Sequence, residues 1–157
     1  MNLPGPADFG TTAATPGGQS GALCWRHHRG QVEVLLITSR ETRRWVIPKG
    51  WPHDGLTAAA SANAEAWEEA GVEGTVRTEP LGLFSYDKVL RPGVSQPCLV
   101  TVFALRVSRL HAKFPERRER RRKWFTTARA ARKVAEPELR ALFLALADDP
   151  GLVVPVR

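Results

Sequence analysis

Cysteine is scarce in this sequence and long apolar runs are missing, and each absence narrows what the chain is. Cys24 and Cys98 are the only two cysteines among 157 residues, too few for a disulfide scaffold or a cysteine-rich zinc site. Both sit in apolar, strand-like runs, which predicts two buried free thiols and suits a reducing, cytoplasmic setting. No apolar stretch reaches the ~18–20 residues that span a bilayer, so no membrane contact is expected. The N-terminus lacks the basic start and apolar core of a secretory signal, and there is no internal repeat. Acidic residues are in deficit: 16 Asp and Glu stand against 23 Lys and Arg, for a formal charge of +7. That balance favours an anionic partner and would steer one inward. Nucleic acid is disfavoured, because the aromatics and glycines that common RNA-binding modules interleave with their basic residues are missing. A phosphorylated small molecule is the expected partner.

Length and an apolar fraction of 43% suit one domain with one core. Residues 1–18, rich in Gly, Pro, Thr and Ala, have little to bury and read as a flexible tail. The folded domain is expected over 19–157, as a monomer or homodimer. Within it, 22–25, 32–37 and 45–47 read as strands, with His27-His28-Arg29-Gly30 as a hairpin turn. Residues 49–56 form a Gly/Pro loop. A helix is predicted over 57–70, with Thr57 as N-cap and Gly71 as its stop. Strands follow at 74–79, 81–87 and 98–107, then helices at 127–135 and 137–147. Trp25, Trp67 and Trp124 are expected in the core. Strands first, one helix among them and helices at the end predict a mixed α/β layer fold.

The chemistry concentrates on the first helix. Glu65, Glu68 and Glu69 are spaced i, i+3, i+4, which puts them on one face within roughly 100°. Like charges at this spacing repel, and the C-terminal half of a helix is the wrong end for negative charge. No Lys or Arg in the helix offsets them. A solvated acidic face would tolerate this, whereas a divalent cation would reverse the cost. Beside the helix lies Pro48-Lys49-Gly50-Trp51-Pro52, a loop able to present backbone carbonyls. Magnesium is commonly held by a few carboxylates together with phosphate oxygens and water.

Gly50, Glu65, Ala66, Glu68, Glu69, Gly71 and Val72 fall in register with a known signature: Gly, five residues, Glu, seven residues, Arg-Glu, an aliphatic, any residue, Glu-Glu, any residue, Gly, an aliphatic. The chain thereby resembles the Nudix hydrolases. The surrounding Arg43–Pro52 and Arg121–Phe125 resemble bacterial relatives of the diphosphoinositol polyphosphate phosphohydrolases. The resemblance implies an α/β/α sandwich with a mixed central sheet, and metal-dependent hydrolysis of diphosphate linkages. Diphosphoinositol or dinucleoside polyphosphates lead as substrates, and a nucleoside diphosphate derivative is the alternative.

It further implies that Glu65, Glu68, Glu69 and the Lys49 carbonyl hold Mg2+ (or Mn2+). Glu69 or Glu65 would activate the attacking water. Arg44, Lys49, Gly50, Arg120 and Arg122 are candidates for substrate contact, Glu119 for an additional acid outside the signature. His53, in the loop, is a weaker candidate for a substrate contact. Two positions depart from the pattern. Leu56 replaces the first Glu and Ala64 the Arg, side chains that commonly support each other in relatives. Their joint loss leaves no buried charge unpaired but puts the rigidity of the loop at 50–56 in doubt, and motivates the alternative of a weakly active or non-catalytic ligand sensor.

Overall fold

The computed structural model describes residues 18–154. Residues 1–17 of the expected tail lie outside the described residues, and Gly18 already begins the first strand. The elements are β1 (Gly18–His28), β2 (Gln31–Thr38), β3 (Trp45–Val46), β4 (Lys49–Gly50), α1 (Ala58–Ala70), β5 (Val72–Arg91), β6 (Val94–Leu110), β7 (Arg122–Thr126), α2 (Thr127–Lys133) and α3 (Pro137–Asp148), with a 3-10 turn at Pro150–Leu152. The strands form one sheet in the order β3-β2-β1-β6-β5, with β4 paired to β1 and β7 to β2. The β1–β6 pair is parallel and its neighbours are antiparallel, so the sheet is mixed as expected. No helix among the described residues is long and apolar enough to cross a membrane.

Strand alternation builds two cores from the same residues. In β1, Leu23 and Trp25 face one side and Ala22 and Cys24 the other; in β2, Val34 and Leu36 oppose Leu35 and Ile37. One side packs against Leu139, Phe143 and Leu146 of α3 and Ala130 and Ala131 of α2. The other packs against Ala59, Ala62, Ala66 and Ala70 of α1. The four alanines recur at i, i+3, i+7 and i+11, and their small side chains bring α1 close to the sheet. The result is the α/β/α sandwich.

Four readings need correction. The strands expected at 74–79 and 81–87 are one strand, β5, whose register shifts on either side of Pro80; Pro cannot donate to the ladder, so it is accommodated at an irregularity of an edge strand. The presumed loop at 49–56 opens with the two-residue strand β4, with Ser20 opposite Gly50 and Gly21 opposite Lys49. Trp67 is not core: it is 39% exposed and meets His111 edge-to-face, because it lies on the face of α1 away from the alanine stripe. Trp124 is only partly buried, at the margin of the α1-side core, with Arg26 stacked on its ring. Trp25 is buried as expected, and so are the thiols of Cys24 and Cys98.

Helix α1 begins at Thr57, whose hydroxyl accepts from the Ala60 N–H. It ends at Gly71, in the left-handed conformation at φ 67°, with the Gly71 N–H on the helix's last carbonyls. A Cβ at Gly71 would also meet the Phe114 ring and the Arg122 guanidinium. Gly71→Ala is therefore expected to destabilise the fold by at least about 1–2 kcal/mol, the cost of forcing an L-residue into that conformation, and urea unfolding of the variant measures it.

Candidate active site

A cleft of about 810 Å³ opens where α1, the β4 loop, the β2–β3 connection and the start of α3 meet. Glu65, Glu68 and Glu69 all line it, so the helical spacing delivers them to one place. They do not share one environment. Glu65 and Glu69 are each only 8% exposed. The Glu69 Oε1 accepts from the Lys49 backbone N–H at 3.2 Å and its Oε2 is 3.3 Å from Arg120. The Glu65 Oε2 lies 2.6 Å from His53 Nε2. Glu68 joins that second pair: a donor atom from each of His53, Glu65 and Glu68 lies within 4.8 Å of the others.

Burial pushes the Glu69 carboxyl up to about 8, the pull of Arg120 and Lys49 notwithstanding, and Glu65 adds to the push. The same burial lowers the Lys49 ammonium, which Glu69 partly restores. Lys49 Nζ sits 4.4 Å from the centre of the Tyr86 ring, and the Tyr86 hydroxyl donates to Gln19 at 2.8 Å. Gly50 is where it is for want of space: a Cβ there would run into the Glu65 carboxylate. Oxygen donors from three carboxylates and one imidazole nitrogen, gathered about a backbone that approaches this closely, fit a divalent cation. Of Lys49, the group seen against Glu69 is the backbone N–H.

The basic candidates divide. Arg44 and Lys49 line the cleft, with Arg44 Nη1 3.2 Å from Glu136 Oε2. Arg120 lines it as well, held by Glu69, by Glu116 at 2.7 Å and by the Thr38 carbonyl at 3.2 Å. Arg122 does not. Its guanidinium donates to the Ala70 carbonyl at 2.6 Å and stacks on Phe114, so it closes the C-terminal end of α1. Glu119, expected as an additional acid, pairs with Arg40 at 3.1 Å with both side chains about half exposed and lies outside the cleft lining. Glu41, Asp54, Asp87, Glu116 and Glu136 are the acids that line the cleft from outside α1, and of these Glu116 and Glu136 pair with its arginines.

Glu136 escaped the sequence reading, where it marked only a helix boundary before Pro137. It is 5% exposed, and its Oε1 is buried with no hydrogen-bond partner among the described residues. Lys88 and His53 also line the cleft. A local pattern announces neither Glu136 nor Lys88.

The chain is a mixed α/β sandwich whose cleft gathers carboxylates and cations, the kinds of group that a divalent cation and phosphates require. The model of the NUDIX domain matches residues 19–146, and the chain belongs to the Nudix family. It is 35% identical over 103 residues to Nudix hydrolase 12, mitochondrial, of Arabidopsis thaliana, and the match covers 64% of this chain and 51% of that protein. The chain thus spans about half the length of that relative. Among solved structures, the E. coli dihydroneopterin triphosphate pyrophosphohydrolase superposes with a TM-score of 0.65 at 17% identity, covering 87% of this chain and 98% of the other. The C. elegans Ap4A hydrolase does so with a TM-score of 0.60 at 18% identity, covering 83% and 96%. At these identities the structures speak to the fold.

The split between the two arginines is open to measurement. Arg122→Ala is expected to lower stability by about 1.5–3 kcal/mol, the scale of a hydrogen bond from a charged donor, and to leave ligand affinity unchanged. Arg120→Ala is expected to weaken binding of a polyphosphate such as ATP by about tenfold or more. Urea unfolding and calorimetric titration of both variants separate the two roles.

Proposed function

We propose that the chain hydrolyses phosphoanhydride linkages in a polyphosphorylated small molecule, with a diphosphoinositol polyphosphate or dinucleoside polyphosphate as the substrate class. The observation that carries this reading is the meeting of Glu65, Glu68 and Glu69 with Lys49, Arg44, Arg120 and Lys88 in one cleft. The carboxylates suit a metal and the cations suit several phosphates, more than a single diphosphate requires. The resemblance of Arg43–Pro52 to the diphosphoinositol group supports the same substrates.

The bound cation, Mg2+ or Mn2+, would lower the pKa of a water and offset phosphate charge. Glu65 and Glu68 would hold it. Glu69, buried and drawn toward neutral by its surroundings, is suited to take the proton of the attacking water. The Lys49 N–H and Arg120 fix the orientation of its carboxylate. Arg44 and Lys88 would grip outlying phosphates, Arg44 through a planar, forked guanidinium and Lys88 as a point charge. The transfer itself needs mainly positioning and charge stabilisation.

The sensor alternative rested on Leu56 and Ala64. Leu56 is 46% exposed and supports nothing polar, yet the loop is tied to α1 by other bonds: the His53 N–H donates to the Ser61 hydroxyl at 3.0 Å and His53 Nε2 meets Glu65. Retained catalysis is the reading this favours.

The test is a panel of diphosphoinositol polyphosphate, dinucleoside polyphosphate and nucleoside diphosphate derivatives with Mg2+ or Mn2+. Turnover is expected on at least one of the first two classes, abolished by chelation with EDTA. Glu69→Gln should lower kcat by roughly 10²–10⁴-fold, the range for loss of a general base. Tight binding across the panel with no turnover would instead establish the sensor.

A further inference from the structure

His53, only a weak candidate for a substrate contact in the sequence, has specific partners in the structure. Its position is fixed at three points. The backbone N–H donates to the hydroxyl of Ser61, a fully buried residue of α1. Its carbonyl accepts from the Leu56 N–H at 3.1 Å, closing a turn. Its ring nitrogen Nε2 is 2.6 Å from Glu65. The imidazole therefore enters the cleft from the loop side, opposite the carboxylates that project from the helix.

Bonds of about 2.1 Å to one ion place its ligands about 3.0–4.2 Å from each other. The donor atoms of His53, Glu65 and Glu68 lie within 4.8 Å of one another and the closest pair is at 2.6 Å, so small side-chain rotations bring all three to that separation. A hydrogen bond now links Nε2 and Glu65. An ion bound at Nε2 would replace that hydrogen bond, with the imidazole coordinating as its Nδ1–H tautomer and the displaced proton passing to solvent. With a side chain 27% exposed, His53 leaves room on the open side for water or phosphate oxygens to complete the coordination.

We propose that His53 Nε2 is a direct ligand of the metal centre, making it a mixed nitrogen–oxygen site with Glu65 and Glu68 that favours first-row transition ions such as Mn2+ over Mg2+. Magnesium takes oxygen ligands almost by rule, whereas an imidazole suits the transition metals. The inference rests on the reading above that the cleft binds a divalent cation.

The experiment uses the full chain loaded with Mn2+ and reads nitrogen-14 modulation by electron spin echo. The wild type is expected to show coupling to a histidine nitrogen. The other three histidines cannot supply it: His27 and His28 end β1 at its turn, His111 bonds Glu73, and all three lie outside the cleft lining. The coupling should vanish in His53→Gln and persist in His111→Gln. By calorimetry, His53→Gln should lose Mn2+ affinity by at least the roughly 10–100-fold typical of disturbing a metal ligand's supporting partner, with a smaller loss for Mg2+.

Mn2+ bound without nitrogen coupling, or an unchanged Mn2+ to Mg2+ ratio in His53→Gln, would overturn the assignment while leaving the cation site standing. Failure of the wild type to bind Mn2+ or Mg2+ at all would sink both. Should His53→Gln fold poorly by circular dichroism, the wild-type spectrum decides alone.

Discussion

The negative charge at the C-terminal half of α1 is the constraint on which the rest of the site depends. Three glutamates there oppose one another and oppose the helix dipole, and the helix contains no basic residue to relieve them. Relief comes from elsewhere in the chain. Arg120 pairs with Glu69, and Arg122 donates to the carbonyl of Ala70, where a cation offsets the dipole. The stretch between β6 and β7 adds backbone donors: the His111 N–H reaches the Gly71 carbonyl and the Glu116 N–H reaches that of Glu68. Gly71 has no room for a side chain because this clasp lies against it. Arg120 and Arg122, candidates for substrate contact in the sequence, therefore also serve to stabilise an acidic helix end.

The sheet supplies the other half of the geometry. The two residues of β4 pair with β1, which holds the Lys49 N–H against Glu69 and the bare backbone of Gly50 against Glu65. Neither contact depends on the side chains at 56 and 64, the two positions where the chain departs from its family's pattern. The bonds of His53 to Ser61 and Glu65 join loop to helix in a different way, through a residue that stays inside the loop. The support that Leu56 and Ala64 cannot give is thereby supplied, and Leu56 is free to remain at the surface.

What could be read from the sequence follows from which interactions are local. The helical period places Glu65, Glu68 and Glu69 on one face whatever the tertiary fold, and strand alternation in 22–25 and 32–37 already separates two core faces. Thr57 and Gly71 bound the helix by capping chemistry that acts within one turn. Long-range pairing was not legible. Arg120 and Arg122 are chemically alike and two residues apart, yet one lies just before β7, turned to the cleft, and the other starts β7 under the helix end. Glu119, the expected additional acid, is likewise turned away to Arg40, while Glu116 faces the cleft, because the turn that separates them sends one outward and the other inward. Glu136 is brought to the cleft only by the packing of α3, from a position that reads as a helix boundary. Pro80 suggested a break between two strands, and an edge strand absorbed it as a register shift.

Two of the cleft's arginines are paired with its own carboxylates. Arg120 is engaged by Glu69 and Glu116, and Arg44 by Glu136. Such pairs, partly buried, stabilise little on their own account because desolvation offsets attraction. Their significance is that a cation and a polyphosphate arriving together would find complementary partners already held in place. A cation held by Glu65 and Glu68 would draw phosphate into the cleft beside Arg44, Lys88 and Arg120. The gain from either ligand then grows when the other is present, and by linkage the effect is reciprocal. On the proposed reading, a cleft arranged in this way favours a substrate that carries both its own charge and a bound metal, and discriminates against a free anion of the same size, which would have to compete with the carboxylates for Arg44 and Arg120.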